Sequence, residues 1–400
     1  MPNHNLRRLI ALSEKQERRI LGLMSGTSLD GVDLALCTVS GQGLDTKLAI
    51  GVFDTRPFAE AFRNELLKVT SVAKVDFAAL TKMNRDLGVY LANEINEFLE
   101  RHDIDPASVD AIASHGQTVF HAPGDGKETQ AATFQVGDGD HIAHQTGILT
   151  LSDFRQKHIA AGGEGAPLTA YGDYLLCSKE GVHRILLNVG GMANITYLPP
   201  DLDPDKVFST DTGPGNRLID LAVRKFFHNK PFDKAGKIAR SGQFLPEVYK
   251  VWMSEPFFEA PLPKTTGAEL FGPAFFEKGM AKIDEVFFSR EDVVRTVSQL
   301  TVDTIADAMK KVLPEDDEVP TEIYVSGGGF HNRIIMEQLE EKLSPHQFGQ
   351  MSDLGIDPDA KEAALFALLA NETLFGEGLV SGRDSGVKGK ITLGKVSFPF

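Results

Sequence analysis

Apolar and polar positions follow two periods along this chain, and the changes of period lay out its elements. Ile20 to Met24 is unbroken apolar residue and glycine, the pattern of a strand buried on both faces. A small polar turn and a second strand follow. With a third strand at Leu48 to Phe53, the opening reads as an antiparallel meander. Phe58 to Val69 and Phe77 to Glu100 read as helices. In the second, Leu80, Met83, Leu87, Leu91, Ile95 and Phe98 make one apolar stripe at helical spacing. Asp105-Pro106 forbids further helix. Short buried strands are expected at Val109 to Ala113, Thr133 to Val136 and Ile148 to Leu151. In the second half, Arg184 to Leu198 is strand, glycine turn and strand, with a third strand at Val207 to Thr210 and a helix from Leu218 to Phe227. Helices follow at Pro273 to Phe287 and Arg290 to Val312. Glu322 to Val325 is a strand leading to a helix that carries Ile334, Ile335, Leu339 and Leu343. Asp357-Pro358-Asp359 starts the last long helix, which Gly376 and Gly378 end, and Ile391 to Phe398 is a last strand.

The second half thus repeats the plan of the first. Each begins with strand, tight turn and strand, and each turn is made of small residues: Ser25, Gly26, Thr27 and Ser28 in one, Gly190 and Gly191 in the other. Such turns present backbone N–H groups to phosphate oxygens. Asp30 and Asp33 follow the first turn, and carboxylates beside a phosphate loop commonly hold Mg²⁺. One hairpin of this kind fits a plain turn equally well. Two point to internal duplication, with a nucleotide held by both halves.

Composition narrows the class. Hydrophobic residues make up 42% and charged residues 24% of 400 residues, as in a globular protein of two or three domains. A net charge of −15 argues against nucleic-acid binding, and no apolar run approaches a membrane span. Met1 to Arg19 is polar, lacks the apolar core of a signal peptide, and reads as a short helix or extension. Cys37 and Cys177 stand far apart, which fits a reducing cytoplasm and buried thiols rather than a disulfide framework.

Several polar residues stand where strands end. Ser114 to Thr118 reads as a loop carrying His115 at a strand's C-terminal end, where α/β proteins keep ligand sites. Gly124 to Gln130 reads as a solvated loop. His141 and His144 match no common zinc spacing. Arg155 is an anchor for carboxylate or phosphate, or else a surface partner of Asp153. Asp211, on a glycine-proline turn, reads as a general base or as a cap of the following helix. Lys264 reads as a surface-loop residue or a substrate contact. Gly327, Gly328 and Gly329 between strand and helix allow a flat ring to approach bare backbone. Glu362 is a carboxylate on an otherwise apolar helical stripe, pointing to a buried partner or a ligand.

Together these motifs resemble one family, the anhydro-N-acetylmuramic acid kinases. The resemblance rests on Gly22 to Asp33, Ser114 to Thr118, Asp153 to Arg155 with Gly162 to Leu168, Asn188 to Asn194, Asp211 to Asn216, Pro263 to Gly267 and Gly327 to Asn332. It begins near residue 19 and leaves 1–18 as an extension. It implies an α/β, two-lobed, actin-like ATPase fold of duplicated ribonuclease H-like domains with an interlobe cleft. Residues 19–156 plus 378–400 would form lobe I and 157–377 lobe II. It also implies ATP and Mg²⁺ as cofactors. The reaction would phosphorylate O6 of the anhydrosugar while water opens the bridge at C1, in cell-wall recycling. By resemblance Asp211 is the base. Ser25, Gly26, Thr27, Ser28, Leu29, Asp30, Gly31, Val32 and Asp33 form the ATP-phosphate segment, with Asp30 and Asp33 near the metal. Gly190 and Gly191 hold phosphate from the other lobe, and Gly327, Gly328, Gly329 and Asn332 form the adenosine turn. His115, Asp153, Arg155 and Glu362 line the sugar site. The expected partners are the anhydrosugar, ATP and a second copy in a homodimer, with no nucleic acid and no membrane. Three features depart from the family's pattern: His158 where Asp is frequent, Glu164 where Gln is frequent, and the segment Leu168 to Asp173. Levoglucosan is the alternative substrate, and a nucleotide-switched binding module of the actin or Hsp70 kind is the alternative class.

Overall fold

Ile20, Leu21 and Leu23 keep 0–1% of their exposure, and the strand that holds them is central in its sheet. The computed structural model describes residues 3–400 except 27, 71, 73, 123, 125–129, 268, 283–287, 314–317, 381–386 and 388. The strands are β1 (Glu17–Ser25), β2 (Gly31–Ser40), β3 (Lys47–Pro57), β4 (Ala111–Ala122), β5 (Ala132–Val136), β6 (Thr150–Ser152), β7 (His183–Val189), β8 (Met192–Leu198), β9 (Phe208–Pro214), β10 (Thr321–Ser326), β11 (Phe348–Gln350), β12 (Leu379–Val380), β13 (Lys390–Ile391) and β14 (Lys395–Ser397). Two compact units contain them: Met1–Cys177 with Gly355–Phe400, and Ser178–Leu354.

The first unit's sheet runs β14-β6-β4-β1-β2-β3, with β5 added beside β4. β1, β2 and β3 form the expected antiparallel meander, while β4 and β6 join in parallel. β1 alternates: Ile20 packs in the core on one face, Leu21 and Leu23 in the core on the other. The helix Phe77–Arg101 covers the second face with Met83, Leu87, Leu91, Ile95 and Phe98, its start capped by Asp76 accepting from the Ala79 N–H at 2.7 Å. The helix Lys361–Phe375 is buried from Ala363 to Glu372 and covers the first face. Gly22 allows that approach, because a Cβ there would lie 1.9 Å from the Ala363 carbonyl oxygen. The helix His4–Ser13 lies before β1 and buries Leu12.

The second unit's sheet runs β11-β10-β7-β8-β9, again a meander (β7, β8, β9) with two parallel strands added on the far side of its first strand. Its core joins Ile185, Leu187 and Val189 of β7 to the helices Arg217–Phe226, Arg290–Val312 and Arg333–Lys342. The Ser289–Asp292 capping box starts the second of these helices. The run β3-β2-β1-β4-β6 of the first unit recurs as β9-β8-β7-β10-β11 in the second, which is the duplicated ribonuclease H-like architecture expected.

The structure alters several expected elements. The C-terminal segment is two short strands: β13 pairs with β12, and β14 pairs with β6. The expected helix Pro273 to Phe287 runs over Pro273–Met280, and 283–287 lie outside the described residues. So does most of the expected solvated loop, at 125–129. The division of the units falls after Cys177 and after Leu354, against expected bounds after 156 and 377, because the helices Thr169–Cys177 and Lys361–Phe375 pack in the first unit's core. Cys37 and Cys177 are buried and free, and burial pushes the Cys37 thiol up to about 12. Among the described residues no helix is long and apolar enough to cross a membrane.

Candidate active site

The first hairpin turn separates residues that serve the fold from residues that are open. Leu29 is 4% exposed and Val32 1%, both in the core. A Cβ on Gly31 would meet the Arg56 carbonyl oxygen at 2.4 Å. Ser25 Oγ donates to Gln117 Oε1 at 2.5 Å inside the unit. Gly26 differs: an added Cβ would meet only Ser28 Oγ, at 3.7 Å. Ser28 Oγ donates to Asp30 Oδ1 at 2.7 Å, and Thr55 Oγ1 donates to Asp33 Oδ1 at 2.7 Å. Thr27 lies outside the described residues. Burial raises the Asp33 carboxyl pKa; the Thr55 bond opposes this, and Asp30 and Asp359 add to it.

His115 lies within β4 rather than in a loop. β4 does not stop after Ala113. It pairs in parallel with β1 and β6, then turns onto β5 from Gln117 onward. Gly116 makes the bend with φ of +70°, and a Cβ there would lie 2.3 Å from the Val136 carbonyl oxygen. His115 Nδ1 lies 2.9 Å from the Gly116 carbonyl oxygen, and its Nε2 accepts from Arg155 Nε at 2.9 Å. The ring is therefore neutral with its proton on Nδ1. Burial first, then the Arg155 charge, lower its pKa to about 3.

This has a consequence for acid stability. The folded pKa lies below the ordinary 6.5, so the contribution is complete above pH 6.5 and is lost as pH falls from there towards about 3. About 2 kcal/mol is gone by pH 5 from this group alone. Thermal melts at pH 7 and pH 5 should show a smaller acid-side drop in Tm for His115→Gln than for the parent; an unchanged drop would mean that the ring is not buried neutral.

Arg155 does not pair with Asp153. Its second donation goes to the Gly165 carbonyl oxygen at 2.7 Å, and it lies in the field of Glu362. Burial and Asp33 raise the Glu362 carboxyl pKa, while Arg155 and Lys361 oppose them. Asp153 instead pairs with Lys395 of β14. Both line a cavity of about 400 Å³ with His115, Ser152, Asp140 and Phe134. His158 is buried and accepts the Gly165 N–H on Nδ1 at 2.9 Å, shaping the glycine loop that Arg155 also holds. Burial and Arg155 bring His158 down to about 4. Glu164 is exposed.

In the second unit, the turn after β7 is tied down through its carbonyls. Gly190 O accepts from the Asn216 N–H at 2.8 Å, and Gly191 O from the Gly215 N–H at 2.9 Å. Asn216 Nδ2 adds a bond to Val189 O at 2.9 Å. A Cβ on Gly191 would meet nothing within 4 Å, and one on Gly190 nothing closer than 3.5 Å. Asp211 is inside β9, facing Asn194 across the ladder, and does not cap the following helix. Its Oδ2 accepts the Thr266 N–H at 2.8 Å, and its own N–H donates to Lys264 O at 2.8 Å. Burial raises its pKa, and the Thr266 bond partly offsets this. The Thr266 backbone contact was not legible in the sequence beyond the nearness of Lys264 to a polar run. Lys264 itself donates to Phe257 O at 2.7 Å and Phe258 O at 3.1 Å. In the glycine turn after β10, Gly327 and Gly329 are packed, with Cβ positions 2.7 Å from Val189 O and 2.2 Å from Val189 Cγ1, whereas Gly328 is open. Asn332 is 5% exposed and caps the helix Arg333–Lys342 through the Ile334 N–H at 3.2 Å.

A sheet order used twice, each time with an open glycine turn between the first two strands, is the plan of the actin-like ATPase class of folds. Comparison with known proteins narrows this. The family model described as anhydro-N-acetylmuramic acid kinase matches residues 18–399. An anhydro-N-acetylmuramic acid kinase of Pseudoalteromonas atlantica is 42% identical, covering 99% of this chain and 100% of that one. Another, of Caldanaerobacter subterraneus, is 35% identical over 98% of this chain and 99% of that one. The chain belongs to the anhydro-N-acetylmuramic acid kinase family.

Proposed function

We propose that this enzyme converts 1,6-anhydro-N-acetylmuramic acid, ATP and water to N-acetylmuramic acid 6-phosphate and ADP, a step of peptidoglycan recycling in the cytoplasm. Family membership over residues 18–399 carries this reading. The geometry supplies fitting parts. Asp211, held by the Thr266 amide and partly desolvated, takes a proton from water as the water oxygen bonds to C1. The C1–O6 bond breaks, and O6 takes the γ-phosphoryl group as ADP departs. Arg155, fixed by His115 and Gly165, and Glu362 orient the sugar. Asp153 and His115 line the cavity beside it. In each unit taken by itself the open backbone suits nucleotide phosphate or base: Gly26 in the first, and Gly190, Gly191 and Gly328 in the second. Two buried free thiols suit a reducing compartment, and the assembly proposed is a homodimer.

Mg²⁺ fits the first hairpin. Asp30 and Asp33 are hard oxygen donors within each other's field. Among the described residues no three acidic, histidine or cysteine side chains form a complete cation cage, and Mg²⁺ commonly takes one or two carboxylates with the rest from phosphate and water. Asp30 and Asp33 would hold it, and it would neutralise phosphate charge.

Release of ADP that depends on the anhydrosugar tests the reaction. A second test isolates the open glycines. Gly191→Ala should raise the KM for ATP by about tenfold, the cost of crowding one phosphate contact, with Tm unchanged because the new methyl touches no protein atom. An unchanged KM would remove Gly191 from the nucleotide site.

A further inference from the structure

The reaction described above makes no use of the segment Leu168 to Asp173. In the structure Asp173 lies on the helix Thr169–Cys177 and is 4% exposed. Its Oδ1 is 2.6 Å from Lys361 Nζ. Lys361 is the first residue of the helix Lys361–Phe375, where the positive end of the helix dipole disfavours a cation, and its side chain is only 24% exposed. A cation kept there needs a fixed counter-charge, and Asp173 supplies it. The two helices are also in direct contact, since a Cβ on Gly172 would lie 2.6 Å from Leu365 Cδ1. The next residue along the helix is Glu362, which feels the charges of Asp33, Arg155 and Lys361. From Asp173 through Lys361 and Glu362 to Arg155 the charges alternate in sign, and the last two are the side chains assigned to the sugar.

We propose that the Asp173–Lys361 pair is a positioning device for Glu362. It fixes the first turn of the helix and holds the Lys361 ammonium on Asp173, leaving the Glu362 carboxylate free for Arg155 and for sugar hydroxyls. The proposal rests on the reading that Glu362 lines the sugar site. With the charge of Asp173 removed, Lys361 turns onto Glu362 and competes with the sugar for it.

Steady-state kinetics on four variants test this. Asp173→Asn should raise the KM for 1,6-anhydro-N-acetylmuramic acid by about tenfold, a coupling typical of contacting charges, and change the KM for ATP by less than about twofold. Asp173→Asn combined with Lys361→Met removes the competing ammonium and leaves no orphaned buried charge, so the sugar KM should fall back towards the parent value. Lys361→Arg should stay close to the parent. Glu362→Gln separates the two layers of the argument. If it leaves the sugar KM unchanged, the assignment of Glu362 to the sugar is wrong. If it raises the sugar KM while Asp173→Asn does not, or while the double variant is no better than Asp173→Asn, the positioning role is wrong and the site assignment stands. Equal rises in both KM values for Asp173→Asn would also overturn it, by showing a general loss of structure.

Discussion

Asp211→Asn should lower kcat by about 10²–10⁴-fold, the usual contribution of a positioned general base, while ATP binds as before. Asparagine has nearly the same shape, and its carbonyl oxygen can still accept the Thr266 N–H that now meets Oδ2 at 2.8 Å. The β9 ladder and the backbone bond to Lys264 O are untouched. What is lost is the ability to take a proton. Burial makes the native carboxylate a better base than a solvated one, and the Thr266 bond keeps it from being raised further. The kinetic loss should therefore appear in kcat, with titration calorimetry giving the parent's affinity for ATP. Parent-like turnover would mean that another group accepts the proton, and unaltered ATP cycling is the outcome expected of a nucleotide-switched module, which needs no base at Asp211.

Gly22→Ala should strongly destabilise the first unit, since among its described glycines none would place a Cβ nearer to another atom. The new Cβ would lie 1.9 Å from the Ala363 carbonyl oxygen and 3.1 Å from the Ala367 nitrogen, both backbone atoms of the helix Lys361–Phe375. Rotamer change cannot relieve a clash with backbone. Nor can the helix back away, because it is buried from Ala363 through Glu372. Overpacking of this kind costs about 1–3 kcal/mol, and more where nothing yields. A urea titration should show a lower midpoint with an unchanged slope. Glu362 rides on the helix that would be displaced, so the sugar KM should rise as well. A parent-like midpoint would show that the helix is not seated on β1 as described. The contrast with Gly191, where a methyl meets nothing, separates two uses of glycine that look identical in a sequence.

That contrast also marks how much could be read before the structure. The two meanders, the repeated hairpin and the long helix from Phe77 were legible because their apolar periods are long and unbroken, and duplication is a pattern in the chain itself. His115 and Asp211 were recognised as residue types but set in loops. The glycines beside them look like strand ends, whereas Gly116 is a bend that passes β4 from one neighbour to another, and Gly213 lies within β9. A bulge leaves the same local signal as a turn, and only the neighbouring strand decides between them. Leu29, Gly31, Val32 and Asn332 belong to recognisable motifs, yet each has a task within the fold: two core side chains, a close strand crossing and a helix cap. The Thr266 amide on Asp211 and the Lys361 ammonium on Asp173 join residues far apart in the chain, and no spacing rule announces either.

The most direct test of the account is ADP release with Mg-ATP and 1,6-anhydro-N-acetylmuramic acid, run beside levoglucosan and N-acetylmuramic acid. The account predicts turnover with the first sugar alone, which would make His158 and Glu164 tolerated variation. Turnover with levoglucosan, or ATP hydrolysis indifferent to any sugar, would contradict it.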